Sequence, residues 1–211
     1  MLKKLGVKIS YPKKIKRYLN RIKPYKGGEW DRKDKLMNKT KSIIRNQLDS
    51  LQNGRCAYCG LKFGETSGSE IEHIAPKGGE KRPQYPQFTF IRYNLVLSCH
   101  LCNRPEKKGI ENTVHILDSD YSKCSFNIVH PYFDNPEDHF EWVVDGCGIV
   151  VIPVRGSAKA RKSIDIFDLN GEAHVQARAK ELSYYYKRKK EPIILENELK
   201  EALKYKGELF N

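Results

Sequence analysis

The chain has 211 residues, 39% of them hydrophobic, which is enough to close one good domain, or a small domain with extensions. Lys and Arg number 39 against 26 Asp and Glu, and the formal charge of +13 points to a polyanionic partner, nucleic acid first. No apolar run approaches the ~20 residues of a bilayer-spanning helix, and the opening MLKKLGVKIS has charge with no apolar stretch behind it, so the expectation is a cytoplasmic protein without a membrane anchor.

Residues 1–36 read as a basic N-terminal extension. From Met1 to Gly28 there are ten Lys or Arg and no acid, with Tyr11, Tyr18 and Tyr25 interleaved, so the stretch is read either as a nucleic-acid arm whose rings stack on bases or as a solvated leader. The segment MNKTKSIIRNQLDSLQ, 37–52, carries Ile44, Leu48 and Leu51 at helical spacing and stops at Asn53-Gly54, so a helix delivers the chain into RCAYCG. From 60 to 92 the Gly, Pro and Lys content predicts an irregular excursion with a short strand at Ile71–Ile74. FNIV, FEWVV and IVVIPV between 126 and 154 predict β structure, with a hairpin around the turn DGCG. Helices are expected over about 171–190, where YYYKRKK reads as a solvated basic face, and over about 194–206.

Six cysteines are present, and Cys56, Cys59, Cys99 and Cys102 form two C-x-x-C pairs separated by 39 residues. In a reducing compartment this spacing favours a metal over a disulfide, and two such knuckles can converge on one tetrahedral Zn²⁺. Four thiolates close the coordination sphere, so the site is expected to be structural, and His100 between the second pair is left outside it. Cys124 and Cys147 read as packing residues. His130, His139 and His174 have no partner at motif spacing and read as structural.

Between the knuckles lies EIEHIAPK, 70–77, where Glu72 and His73 are adjacent. In an extended segment adjacent side chains point to opposite sides, one free to hold a metal and the other to face a substrate. Taken in order, C-x-x-C, Glu72-His73-Ile74-x-Pro76, Asn94 and C-x-x-C-Asn103 resemble the zinc-stapled form of the HNH, or ββα-metal, nucleases. Asn94 stands five residues before Cys99 and nine before Asn103, the offsets that family shows, and the resemblance covers about residues 54–109.

The resemblance implies an α+β fold: a ββα-metal core stapled by a four-cysteine zinc site over 37–118, with a short hairpin bearing Glu72 and His73, a helix beginning near Asn103, and a C-terminal extension of hairpin and helices over 119–211 packed on it. It implies His73 as general base, Glu72 and Asn103 as ligands of a catalytic ion, and Asn94 as the brace of the loop. The departures are Glu72 where many members have aspartate and Asn103 where many have histidine. An oxygen-only ligand pair suits Mg²⁺ or Mn²⁺ for the reaction beside Zn²⁺ for shape. Lys107, Lys108 and Arg92 are the expected phosphate contacts.

The stretches VHPYFDNPEDHFEW and SIDIFDLNG resemble the C-terminal extension of HNH proteins in bacterial anti-phage systems of the Septu and retron types. Those work beside an ATPase, and the substrate implied is DNA or RNA. The alternative reading is a zinc-stabilised module that binds nucleic acid or a protein without catalysis. That module would need the four cysteines and the basic surface, but not Glu72, His73 and Asn103 together.

Overall fold

The computed structural model describes residues 2–6, 8–79, 82–104, 108–109, 111–143, 149–189 and 196–205. It is a mixed α/β protein whose strands pair only two at a time. The helices are α1 (Lys13–Arg21), α2 (Lys35–Gln52), α3 (Ala158–Ile166), α4 (Glu172–Lys189) and α5 (Glu196–Lys204). The antiparallel pairs are β1 (Ser69–His73) with β4 (Leu95–Cys99), β2 (Gly78–Gly79) with β3 (Arg82–Pro83), β5 (Val114–Ile116) with β6 (Ser125–Phe126), and β7 (Phe140–Val143) with β8 (Val150–Pro153).

Helix α2 is the support of the site, and its ends follow from its sequence. Asp34 caps it by accepting from the amides of Leu36 and Met37, and Asn53 ends it in the left-handed conformation. Met37, Thr40, Ile44, Leu48 and Gln52 form its buried stripe. Complete burial of Ile44 and Leu48 contributes roughly 1.5–3 kcal/mol each before the cost of ordering them. Gln52 completes the edge of β4: its amide nitrogen Nε2 donates to the Leu97 carbonyl at 2.8 Å while Oε1 accepts from the Leu97 amide at 2.7 Å.

The basic N-terminal segment is part of this core, which corrects the reading of its tyrosines as a stacking platform. Ile9, Tyr11, Ile15, Tyr18, Leu19 and Trp30 are buried with Met37, Ile44 and Leu48. The hydroxyls of Tyr11, Tyr18 and Tyr25 donate to the Phe90 carbonyl, Asp34 Oδ2 and the Leu19 carbonyl, so these rings hold the fold together and are not free to stack on bases. Lys13, Lys14, Lys16 and Arg17 remain exposed on α1.

The helix expected to begin near Asn103 is not found among the described residues. Positions 100–103 are turn, as tight C-x-x-C geometry requires, and 105–107 and 110 lie outside them. Of FNIV only Phe126 lies in a strand, the two-residue β6, and beyond it Pro131 offers no amide to a ladder while the His130 carbonyl turns back to accept from Phe133 and Asp134. The DGCG turn and Cys147 also lie outside the described residues, while the flanking strands β7 and β8 pair from Phe140↔Pro153 to Val143↔Val150. Helix α3 is an addition to the expected elements.

Candidate functional site

Cys56, Cys59, Cys99 and Cys102 are all buried, with their four sulfurs within 4.8 Å of one another. The amides of Tyr58 and Cys99 both point at Cys56 Sγ at 3.4 Å, contacts that favour a thiolate. Four converging sulfurs with backbone donors fit a tetrahedral thiophilic ion, and Zn²⁺ fits that donor set. His100 faces outward with its ring Nδ1 3.2 Å from Glu70 Oε1, outside the cluster as expected. Cys124 is a turn cysteine whose sulfur accepts from the Asp118 amide.

The register of β1 on β4 sorts the motif residues between two faces. His73 lies across from Leu95 and shares its side with Ile71, toward α2; Glu72 lies across from Val96 and shares its side with Glu70. Trp30, Glu72, His73, Lys77, Asn103 and Lys108 line a cleft of about 400 Å³. The structure therefore brings Glu72, His73 and Asn103 to one opening.

His73 Nε2 is 3.1 Å from the Thr89 carbonyl. A carbonyl only accepts, so Nε2 carries the proton and Nδ1 is left as the acceptor. The edge of the ring pair with Trp30, at 4.6 Å and 88°, fixes the imidazole plane. Burial, and then the nearby Lys77 ammonium, pull its pKa down to about 3, so the ring is neutral at ordinary pH.

On the other face Glu72 Oε1 lies 2.6 Å from Lys108 Nζ at an angle poor for a hydrogen bond. Lys108 is only 3% exposed and also donates to the His73 carbonyl. This differs from its expected role as a solvent-facing phosphate contact. Lys107 lies outside the described residues, and Arg92 is half-buried near Tyr11. Asn103 Nδ2 donates to Glu70 Oε2 at 2.7 Å, which commits the amide nitrogen and leaves Oδ1 available to a cation. Glu72 and Asn103 line the same cleft, and oxygen donors of this kind suit a hard divalent cation once the Lys108 ammonium is displaced.

Asn94 is fully buried and spends all its polar capacity on the backbone beyond His73. Its Oδ1 accepts from the Ala75 amide at 2.6 Å and the Tyr121 hydroxyl at 3.0 Å, while Nδ2 donates to the Ala75 and Phe88 carbonyls. Behind it, His130 Nδ1 accepts from the Tyr132 amide, so Nε2 carries the proton toward the Tyr121 hydroxyl at 3.0 Å. Tyr121 in turn donates to Asn94. Sequence spacing missed this buttress, because Tyr121 and His130 belong to a segment with no chemical motif of its own. It also missed Glu70, although Glu70 and Glu72 share a face by the alternation of a strand, and His174, whose Nε2 lies 3.5 Å from Cys102 Sγ.

A buried cluster of four cysteines and a cleft lined by acid, amide and histidine thus sit at the two ends of one strand pair in a mixed α/β protein. By comparison with known proteins, the chain has homologues in Septu PtuB proteins and in a retron protein named as a putative HNH endonuclease. It is 31% identical over 150 residues to the Septu protein PtuB of Bacillus mycoides, covering 65% of this chain and 50% of that protein. It is 29% identical over 147 residues to a retron Vc95 protein of Vibrio cholerae named as a putative HNH endonuclease, covering 66% of this chain and 63% of that one. A 62-residue stretch is 40% identical to a CRISPR-associated endonuclease Cas9 of Corynebacterium diphtheriae, covering 29% of this chain and 5% of that protein. The chain thus spans half to under two thirds of the first two relatives' lengths. No family model matches it. None of its described helices is long and apolar enough to cross a membrane.

Proposed function

We propose that the chain is a metal-dependent HNH endonuclease that hydrolyses phosphodiester bonds in nucleic acid, as the cutting subunit of a Septu- or retron-type defence complex. The observation that carries this reading is the split of the Glu72-His73 pair. A neutral histidine with a free Nδ1 stands on one side of β1, and an oxygen ligand pair stands on the other, both at one cleft.

The residues support the following reaction. His73 Nδ1 takes a proton from water as the water oxygen bonds to phosphorus, and the bond from phosphorus to the departing 3′ oxygen breaks. Thr89, through its carbonyl, holds the proton on Nε2 and faces the ring as it becomes cationic. Trp30, at right angles to the imidazole, keeps its plane. Asn94 and the Tyr121–His130 pair behind it fix the turn at Ile74–Ala75, and so the position at which β1 presents His73. Glu72 and Asn103 are the residues that hold Mg²⁺ or Mn²⁺, with Glu70 orienting the Asn103 amide. That ion, when bound, supplies charge for the phosphoryl and leaving oxygens.

In this reading Zn²⁺ on the four cysteines is structural, and the nuclease core of 37–118 is flanked by the basic segment 1–36 and the extension 119–211. The net charge of +13 supports a nucleic-acid substrate, with DNA first and RNA the alternative. An ATPase partner follows from the resemblance to the defence systems. Five cysteines that are free of disulfides suit the reducing cytoplasm.

The test is cleavage of plasmid, single-stranded DNA and RNA with Mn²⁺, by wild type and His73→Ala, each as the isolated chain and with its copurifying partner. Cleavage by wild type that His73→Ala abolishes is expected. If wild type, alone and with its partner, cuts no substrate that the variant spares, the non-catalytic binding module takes the place of this reading.

A further inference from the structure

The C-terminal helix α4 carries a buried cation with no matching acid among the described residues. Arg178 is 5% exposed, and its Nη1 donates to the Ile149 carbonyl at 2.8 Å. Its Nε and Nη2 are buried without a hydrogen-bond partner among the described residues, and the guanidinium lies 5.0 Å from the Trp142 ring centroid. Removing a guanidinium from water costs several kcal/mol unless a negative group compensates it. A thiolate at Cys59 or Cys102 is the negative group that would favour its charged form.

One turn earlier on the same helix face, His174 is fully buried, with Nδ1 2.8 Å from the Asp168 carbonyl and Nε2 3.5 Å from Cys102 Sγ. The Asp168 carbonyl requires Nδ1 to carry a proton, so in the neutral ring Nε2 faces the sulfur as an acceptor, and His174 places this face of α4 at the sulfurs without supplying a charge. More contacts bind this C-terminal unit to the knuckles themselves. Tyr58, inside the first C-x-x-C, stacks on Phe167 at 3.9 Å, Arg55 pairs with Glu181 at 2.5 Å, and Arg104 pairs with Asp168 at 2.8 Å.

Four neutral thiols would give Arg178 nothing to balance. Four thiolates around one divalent ion carry a net charge of about −2 and need a positive, donor-rich surround when buried. We propose that Arg178 is the charge-balancing neighbour of the tetrathiolate metal centre, so that metal binding and the docking of α4 on the knuckles are one coupled event. The inference rests on the reading of the four cysteines as a zinc site. It adds that the zinc joins the C-terminal unit to the core, besides stapling the loop between the knuckles.

The test uses the full chain loaded with one equivalent of Zn²⁺, and separately of Co²⁺, for wild type, Arg178→Met and Arg178→Lys. Chelator competition is expected to show Arg178→Met binding Zn²⁺ roughly 10–100-fold more weakly, with Arg178→Lys recovering part of the loss because it restores charge. In the Co²⁺ form, the thiolate-to-metal charge-transfer band of Arg178→Met is expected to move to longer wavelength, since thiolates that lose a positive neighbour give up electrons more easily. A residue that only fills space would leave that band in place. On wild type itself, chelation of the zinc is expected to raise hydrogen exchange across α4 before that of α2, a measurement that does not depend on any variant folding. Wild-type affinity and band position in Arg178→Met, or α4 equally protected with and without metal, would overturn the inference while leaving the zinc reading intact. A wild type that binds no metal at the cysteines would overturn both.

Discussion

Replacing Lys108 by methionine exposes the logic of the cleft. The ammonium is buried against Glu72 at 2.6 Å, and the two side chains are 3% and 11% exposed. At an effective dielectric constant near 20, a pair of charges about 4 Å apart is worth about 4 kcal/mol, and breaking a buried pair by removing one partner costs about 3–5 kcal/mol. Lys108→Met keeps most of the apolar stem and removes the charge, together with the donor to the His73 carbonyl. In zinc-replete buffer without other divalent ions, urea denaturation is expected to show a loss of about 3–5 kcal/mol. Glu72 then lacks its cation, and Mn²⁺ can replace the ammonium. Added Mn²⁺ at about a hundred times its dissociation constant returns about 2.7 kcal/mol. Wild type gains less at the same concentration, because its own lysine competes for Glu72. The reasoning is refuted if Lys108→Met matches wild type without Mn²⁺, or if Mn²⁺ stabilises both to the same extent.

Asn94→Ala strands the buried Ala75 amide and its neighbouring carbonyls, and a loss of about 3 kcal/mol or more in thermal or urea unfolding is expected. Asn94→Asp keeps both accepted hydrogen bonds but turns an oxygen toward the Ala75 and Phe88 carbonyls, so it is expected to be as damaging at pH 7 and to improve as the pH falls. His130 is held down to about 3 by burial, with Asp134 opposing, so between pH 6.5 and 3 the unfolded chain binds a proton that the folded chain refuses. Stability is therefore lost as the pH falls, by about 2 kcal/mol from pH 7 to pH 5, and His130→Phe is expected to lose about that much less over the same interval in paired denaturation curves. Glu70→Ala frees the Asn103 amide to rotate and is expected to weaken Mn²⁺ binding by about tenfold in calorimetric titration, with zinc content unchanged.

The parts of this fold that sequence made legible are those where one local rule decides. The stripe of α2 and its Asn53 stop, the alternation that separates Glu72 from His73, and the convergence of two C-x-x-C pairs all follow from periodicity or spacing. The N-terminal tyrosines were less legible, since a basic stretch with interleaved rings reads alike whether the rings face water or lie buried against α2. The helix sought after Asn103 was an inheritance from the family pattern, and the second knuckle's turn takes its first residues. The contacts of Lys108, Glu70, Tyr121, His130, His174 and Arg178 became visible only in three dimensions. Each acts on a residue far off in the chain or belongs to a segment whose pattern reports packing alone, and no spacing rule links Glu72 to Lys108 or Cys102 to His174.

The most direct measurement of the central claim is anomalous diffraction from crystals grown with Zn²⁺ and soaked in Mn²⁺, with data collected at both absorption edges. The account predicts a zinc peak within bonding distance of the four cysteine sulfurs. It also predicts a separate manganese peak on Glu72 and Asn103, with His73 Nδ1 facing the same cleft and Lys108 withdrawn from Glu72. Manganese bound elsewhere, or a cleft that stays closed on the Lys108–Glu72 pair at saturating Mn²⁺, would contradict it.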